Sequence, residues 1–316
     1  NEPTAHWSYL YTIYLIVIYS IFGPSPLLAR ILQAIIVGIV MPWLLYRLTF
    51  RIFAPAARGE GMFAYKPEVA RAQHIALMAA AIGAVYIYFF YYTASLITEG
   101  FYITGILWVF DTAVAITQSQ QVSVKQWALL GLAMGITILL RQLFLLFLPF
   151  LLLWLWWAKR PRLTSFVLPV AMVVLMIVPW TIRNYQAFDR IVPLNTNSGF
   201  AFFWGNHPRY GTQFISILPS GEYYRMIPEE LQAQGLNEAE MDSALLSEAL
   251  KIISADPGRY VLLSLSRIPT YFQFWPSGDS SMVSNLSRVG SFGVFLPFMI
   301  YGLFLALRQS FASWKE

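Results

Sequence analysis

The sequence has no cysteine and little charge. Without cysteine there is no disulfide framework, no thiolate nucleophile and no Cys-ligated metal, and nothing marks a redox compartment. Asp, Glu, Lys and Arg make up 12% of the 316 residues, against about 25% in an average soluble domain. Hydrophobic residues reach 58% and aromatics 17%, which leaves too little polar surface to cover a water-soluble globule. A soluble enzyme, a disordered chain and a nucleic-acid-binding domain all fit this composition poorly, and no nucleic-acid partner is expected. The mean hydropathy of +0.57 points to an integral membrane protein, specifically an all-α polytopic helix bundle.

Other absences narrow the chemistry. There is no Asp-x-Asp pair, no GxxxxGK[ST] phosphate loop and no GxSxG nucleophile elbow. The three histidines, His6, His74 and His207, are too scattered to suggest a metal site. Neither a cofactor nor a metal is expected.

Long runs without Asp, Glu, Lys or Arg occupy residues 3–29, 31–46, 72–98, 143–158, 163–182 and 289–307, with shorter candidates at 100–117 and 126–140. A spanning helix needs about 20 such residues. Pro24 and Pro26 break the first run, so residues 7–22 are read as an interfacial helix and 27–47 as the span proper. Residues 1–26 lack a charged n-region and a cleavage site, so no signal peptide is readable, and sequence upstream of Asn1 is expected.

Charge distribution sets the orientation. Arg47, Arg51, Arg58, Lys66, Arg71, Lys125, Lys159, Arg160, Arg162, Arg308 and Lys315 fall on one side of the alternating spans, which is taken as cytoplasmic. The opposite side receives residues 1–26, the turn before Glu99, Arg141 and the stretch 183–288. That stretch holds eight basic and ten acidic residues. The division is therefore a helix bundle over 1–182, a mixed, partly helical extracytoplasmic loop over 183–288, and a final span with a cytoplasmic tail over 289–316. Within the loop, Asn237 caps a helix whose first turn is acidic and which Asp256-Pro257-Gly258 ends; a short helix is expected from Pro228 to Gly235. Residues 260–275, with Arg267, Pro269 and Trp275, suit an interfacial helix better than a crossing.

Charges inside apolar runs need a partner, water or an interface. Glu99 sits at the extracytoplasmic end of a helical hairpin, either as a solvated turn residue or as a carboxylate facing a cavity. Arg141 interrupts 33 otherwise uncharged residues, 126–158. One helix of that length would run about 50 Å, too long for a roughly 30 Å core. The run should break into two short helices at Arg141, which either snorkels to the interface or offers its fork to phosphate. Asp111 is either buried or marks an early cytoplasmic exit of its helix near Lys125, and the exit is the favoured reading. After the span ending near Ile182 come Arg183, Asn184 and Tyr185, then Asn195, Asn197, Gly199, Gly205, Asn206 and Gly211 among Phe200, Phe202, Phe203 and Trp204. Amides, glycines and aromatic faces together suit a carbohydrate or polar headgroup, although an interfacial belt and a turn-rich loop explain the same residues.

Four stretches in order, residues 8–38, LITEGFY at 96–102, GLAMGITILLRQLFLLFLP at 131–149 and VPWTIRNYQAFDRIVPLNTNSGFAFFWGNHPRYG at 178–211, resemble segments of lipid-linked-sugar glycosyltransferases of the GT-C class, family 39. That group includes protein mannosyltransferases and the aminoarabinose transferases of lipid A. Ser8-Tyr9 stand where the family has Pro-Pro, and Gln142 where it has Pro. The resemblance implies transfer of a sugar from a polyprenyl-phosphate donor to an acceptor glycan, lipid or protein at the extracytoplasmic face of the inner (plasma) membrane. It places Glu99, Arg141, Arg183, Asn184, Tyr185, Asn195, Asn197, Gly205 and Asn206 around donor phosphate and sugar. The catalytic base of the family, an aspartate in the first extracytoplasmic loop, would precede residue 1, and Glu2 does not replace it. A carrier or flippase for lipid-linked saccharides, or a non-catalytic membrane scaffold, are the alternative readings.

Overall fold

The computed structural model describes residues 3–54, 67–215, 218, 220–278 and 280–313; Glu2, Arg58, Lys66 and Lys315 lie outside them. Among the described residues every regular element is helical. Four helical stretches are long and apolar enough to cross a membrane, as a membrane protein requires: α2 (Pro26–Phe53), α5 (Glu99–Gln118), Leu163–Phe188 and Met282–Arg308. The third consists of a 3-10 turn and α8 (Val167–Phe188). A fifth crossing is available if α3 (Pro67–Val85) and α4 (Ile87–Ala94), bent by 53° at Tyr86, count as one span. Three shorter apolar helices complete this part: α1 (Tyr9–Phe22), α6 (Val124–Leu140) and α7 (Phe144–Lys159).

The expected break at Arg141 is present. Arg141 takes an extended backbone, φ −149° and ψ 116°, after the last turn of α6, and α7 starts at Phe144. At 1.5 Å per residue the two helices run about 25 Å and 24 Å, so the break sits at one end of the bundle. The α1–α2 junction behaves as read: Gly23 has φ +77°, a conformation that disfavours other residues, and the Ser25 hydroxyl caps α2 with Pro26 in its first turn.

Two expectations need correction. The span starting near Leu27 does not stop at Arg47, because α2 continues to Phe53. Asp111 does not mark a helix exit either: α5 runs through it to Gln118 and Asp111 is 1% exposed. Both departures have one cause, since Arg47 and Arg51 on α2 pair with Asp111 across the interface and each charge makes the other tolerable in an apolar setting.

The bundle core lies between α5, α6, α7 and α8, around Val109, Leu130, Met134, Ile138, Leu151 and Val173. Helix α6 is buried along most of its length because Gly131 and Gly135 let α8 approach. A Cβ on Gly131 would stand 2.8 Å from the Pro169 Cα, and one on Gly135 2.3 Å from Met176 Sδ. Small residues four apart allow such close crossings where lipid offers no hydrophobic drive between helices. Gly131→Leu should therefore lower stability by about 3 kcal/mol, read as thermal unfolding in detergent. Gly38→Leu, with no atom within 4 Å of its Cβ position, should change little.

Residues 189–281 carry the remaining short helices: α9 (Ser198–Asn206), α10 (Ser220–Arg225), α11 (Glu229–Gln232), α12 (Glu238–Ala255), α13 (Pro257–Ser266) and α14 (Ile268–Tyr271). α15 (Met282–Arg288), a π turn and α16 (Val294–Ser313) then form the last apolar stretch. Asn237 and Glu240 form the capping box of α12. Pro228 opens α11, and Asp256 ends α12 and caps α13 in turn. The region has its own core of Phe203, Met226, Ile227, Leu245, Ala249 and Leu263. A smaller cluster of Ala5, Tyr9, Phe188 and Ala239 joins it to the bundle.

Candidate functional site

The turn that carries Glu99 is held by an amide. Gln33 on α2 is fully buried and its Nε2 donates to the carbonyls of Tyr92 at 3.2 Å, Thr93 at 3.1 Å and Ser95 at 2.7 Å. Its Oε1 accepts from the Tyr11 hydroxyl at 2.9 Å. These bonds satisfy carbonyls left free where α4 ends, which apolar surroundings would otherwise penalise. They fix the approach to Thr98 and Glu99.

Arg141 meets that turn from the α6–α7 break. One of its terminal nitrogens pairs with Glu99 Oε1, and its Nε donates to Thr98 Oγ1 at 3.0 Å. Its guanidinium lies 6.0 Å from the Tyr102 ring centroid. The Arg141 side chain is 44% exposed and that of Glu99 27%, yet Glu99 Oε2 is buried with no hydrogen-bond partner. A buried carboxylate oxygen without a donor is unusual.

Gln142 continues the site. Its Nε2 donates to Asn197 Oδ1 and its Oε1 accepts from the Asn195 amide at 3.2 Å. Both asparagine side chains then donate to the His6 carbonyl, at 3.2 Å and 3.4 Å. Glu99, Arg141, Asn195 and Asn197 are thus brought together, with Gln142 as the link.

The other expected residues are distributed differently. Asn184, fully buried, donates to the carbonyls of Val192 at 3.0 Å and Leu194 at 2.8 Å. It accepts from the Tyr9 hydroxyl at 2.7 Å and from Arg183 at 3.0 Å. Arg183 also donates to the Thr4 carbonyl at 2.9 Å. This pair forms a bracket beside the site and holds residues 4–9 and 192–195 in place. Tyr185 is 52% exposed and shares no hydrogen bond with the others among the described residues. Gly205 and Asn206 end α9 within the loop core, where Arg267 caps the Gly205 carbonyl and Arg259 the Asn206 carbonyl. Asn206 Oδ1 is buried without a partner.

Two carboxylates of α12 went unread as site elements. Glu238 accepts from Thr4 Oγ1 at 2.6 Å, from the Ala5 amide at 2.7 Å and from Thr196 Oγ1. One turn later Asp242 accepts from the amides of Gly199 at 2.7 Å and Phe200 at 3.1 Å and from Ser198 Oγ at 3.2 Å. Asp242 therefore caps α9 from a neighbouring helix. Gly199 permits this, since a Cβ there would lie 1.8 Å from the Asp242 carbonyl oxygen. The helix dipole alone explains Glu238 in the acidic first turn of α12, and only its i, i+4 spacing from Asp242 hinted at a shared face.

Burial pushes the Asp242 carboxyl upward, opposed by the three donors at Phe200, Gly199 and Ser198. A raised carboxyl pKa in the folded state means that its stabilising contribution is full below the unfolded aspartate value and declines as pH rises through the folded one. Asp242→Asn should remove that decline, whereas Asp242→Ala should cost about 3 kcal/mol by leaving the α9 amides uncapped. Thermal unfolding across pH 3–8, a range chosen to bracket the ordinary value of about 3.9, checks both. His207 is pushed down by burial, then by Arg209 and Arg259, in keeping with its Nδ1 accepting from the Arg209 amide at 3.2 Å.

No group of three or more His, Cys, Asp or Glu placed to hold a metal occurs among the described residues. A cleft of about 460 Å³ opens at the α3–α4 bend, lined by Ile82, Tyr86, Leu286 and Ser291 among others, and none of the expected site residues lines it. No family model matches the chain, and no curated protein or solved structure matches it either.

Proposed function

We propose that the chain is a membrane-embedded glycosyltransferase of GT-C type that takes a sugar from a polyprenyl-phosphate donor and passes it to an acceptor glycan, lipid or protein. In this reading the Glu99 end of the bundle faces the extracytoplasmic side of the inner membrane. The observation that carries it is the pairing of Arg141, at a break between two short apolar helices, with a glutamate whose second oxygen is buried and unpartnered. An arginine fork there suits a phosphate at the membrane face, and a carboxylate oxygen in want of a donor suits a sugar hydroxyl. The amides of Gln142, Asn195 and Asn197 supply further polar contacts, and the Tyr102 ring lies beside the Arg141 guanidinium.

The acceptor oxygen attacks the anomeric carbon as the bond from that carbon to the phosphate oxygen breaks. The electron pair stays on the departing lipid phosphate, where Arg141 offsets the growing charge. The acceptor proton goes to a carboxylate acting as general base, the role that the family resemblance gives to an aspartate of the first extracytoplasmic loop. Gly205 and Asn206 drop out of the donor contacts in this scheme, and Arg183 and Asn184 act by positioning.

The test is a panel of polyprenyl-phosphate sugars offered to the full-length protein in proteoliposomes. Saturable binding of one donor with release of polyprenyl phosphate supports the reading. Binding followed by movement across the bilayer with the donor intact would support a carrier of lipid-linked saccharides, which the 53° break between α3 and α4 favours as the second reading.

A further inference from the structure

The opposite end of the bundle holds a charged cluster that sugar transfer leaves unused. Asp111 stands twelve residues along α5 from Glu99, about 18 Å at 1.5 Å per residue, with about 10 Å of helix remaining to Gln118. Arg47 Nη2 lies 2.8 Å from its Oδ2 and Arg51 Nε 2.7 Å from its Oδ1. One buried carboxylate thus meets two guanidiniums, and the cluster carries a net positive charge.

The two arginines are not used up by this contact. Each gives Asp111 one nitrogen, and their side chains remain 28% and 29% exposed. The guanidinium of Arg47 is stacked 4.5 Å over the Trp43 ring. Gln118 Nε2 donates to the Arg51 carbonyl at 2.6 Å, which pins this turn of α2 against α5. Above Arg47, Trp43 and Ile39 are exposed with Ile36 and Ile35, at helical spacing. The result is an apolar stripe that runs from the bundle middle down to a fixed pair of cation forks. A soluble anion has no use for the stripe. A lipid does.

We propose that Arg47 and Arg51, held in register by Asp111, bind the phosphate diester of an anionic membrane lipid in the leaflet at this end, with an acyl chain along Ile36, Ile39 and Trp43. Neutralising the surplus charge at this depth is what makes the bound lipid favourable, and arginine forks match phosphate oxygens. The proposal requires only that the bundle lies in a bilayer and is independent of sugar transfer.

The experiment follows thermal unfolding of the purified protein in neutral detergent during titration with phosphatidylglycerol, phosphatidylcholine or inorganic phosphate. Phosphatidylglycerol should raise the midpoint saturably, with no such rise from the other two. Arg47→Gln leaves a balanced Arg51–Asp111 pair and should weaken the phosphatidylglycerol response at least tenfold. If that variant does not fold, Arg47→Lys, which keeps the charge but not the fork, should weaken it at least threefold. Equal responses to the two lipids, or a variant response equal to wild type, would overturn the site. A shift by inorganic phosphate matching that by phosphatidylglycerol would overturn the assignment to a lipid.

Discussion

Arg141→Ala is expected to lower sugar transfer from a polyprenyl-phosphate donor by more than tenfold, equivalent to about 1.4 kcal/mol of transition-state stabilisation. The arginine is half-exposed at a helix break, so its removal should spare the fold; in the proposed reaction the substitution removes the cation that offsets charge on the departing phosphate. Arg141→Lys restores the charge without the planar fork and should recover part of the rate. Lys125→Ala, sixteen residues earlier at the far end of the same helix, should leave the rate unchanged. Transfer by full-length protein in proteoliposomes, with a radiolabelled donor, measures all three. An Arg141→Ala enzyme as fast as wild type would reduce this residue to a cation snorkelling at the interface.

Gln33→Leu should cost about 3 kcal/mol of stability, because three carbonyls at the end of α4 lose their donor together in apolar surroundings. The Tyr11 hydroxyl loses its acceptor as well. The effect should reach the site, since the same turn delivers Thr98 and Glu99 to Arg141: transfer should fall even at temperatures where the variant stays folded. Gln186→Leu, on an exposed position of α8, should stay within about 0.5 kcal/mol of wild type. Thermal unfolding and transfer measured side by side separate the two consequences. A folded Gln33→Leu protein with full activity would mean that the Glu99 turn needs no such tether.

The all-α architecture was legible because long apolar runs leave few alternatives, and the break at Arg141 because 33 uncharged residues exceed one bilayer crossing. Capping signals at Asn237 and Pro228 were local and therefore readable. For Asp111 the favoured reading, a helix exit, failed and its alternative, burial, held, for the opposite reason: its meaning depends on Arg47 and Arg51, sixty or more residues away, and only packing of α2 on α5 reveals that three charges form one cluster. Within the candidate site, Glu99 and Arg141 stood out as charges in apolar sequence. Gln33 offered a weaker signal, a lone amide in an apolar helix; Glu238 had a sufficient local explanation in the first turn of α12, and Asp242, one turn on, reads as an ordinary polar position of an amphipathic helix. Asn184 and Asn206 show the limit of motif reading. Both sit in an amide-rich stretch that suits a ligand, yet Asn184 spends its bonds on Tyr9, Val192 and Leu194 and Asn206 belongs to a separate core.

The claim that Arg141 holds a lipid-borne phosphate has a direct physical readout. Protein labelled with ¹⁵N-arginine and bound to a polyprenyl phosphate in liposomes should show, in solid-state NMR, dipolar coupling between a guanidinium nitrogen and the monoester phosphorus of that lipid, whose resonance is separate from the bilayer phosphodiesters that Arg47 and Arg51 would meet, at a separation of roughly 4 Å for a bidentate contact. That coupling should disappear in Arg141→Lys and persist in Arg183→Lys. A coupling that survives Arg141→Lys, or none in a protein that binds the lipid, would contradict the account.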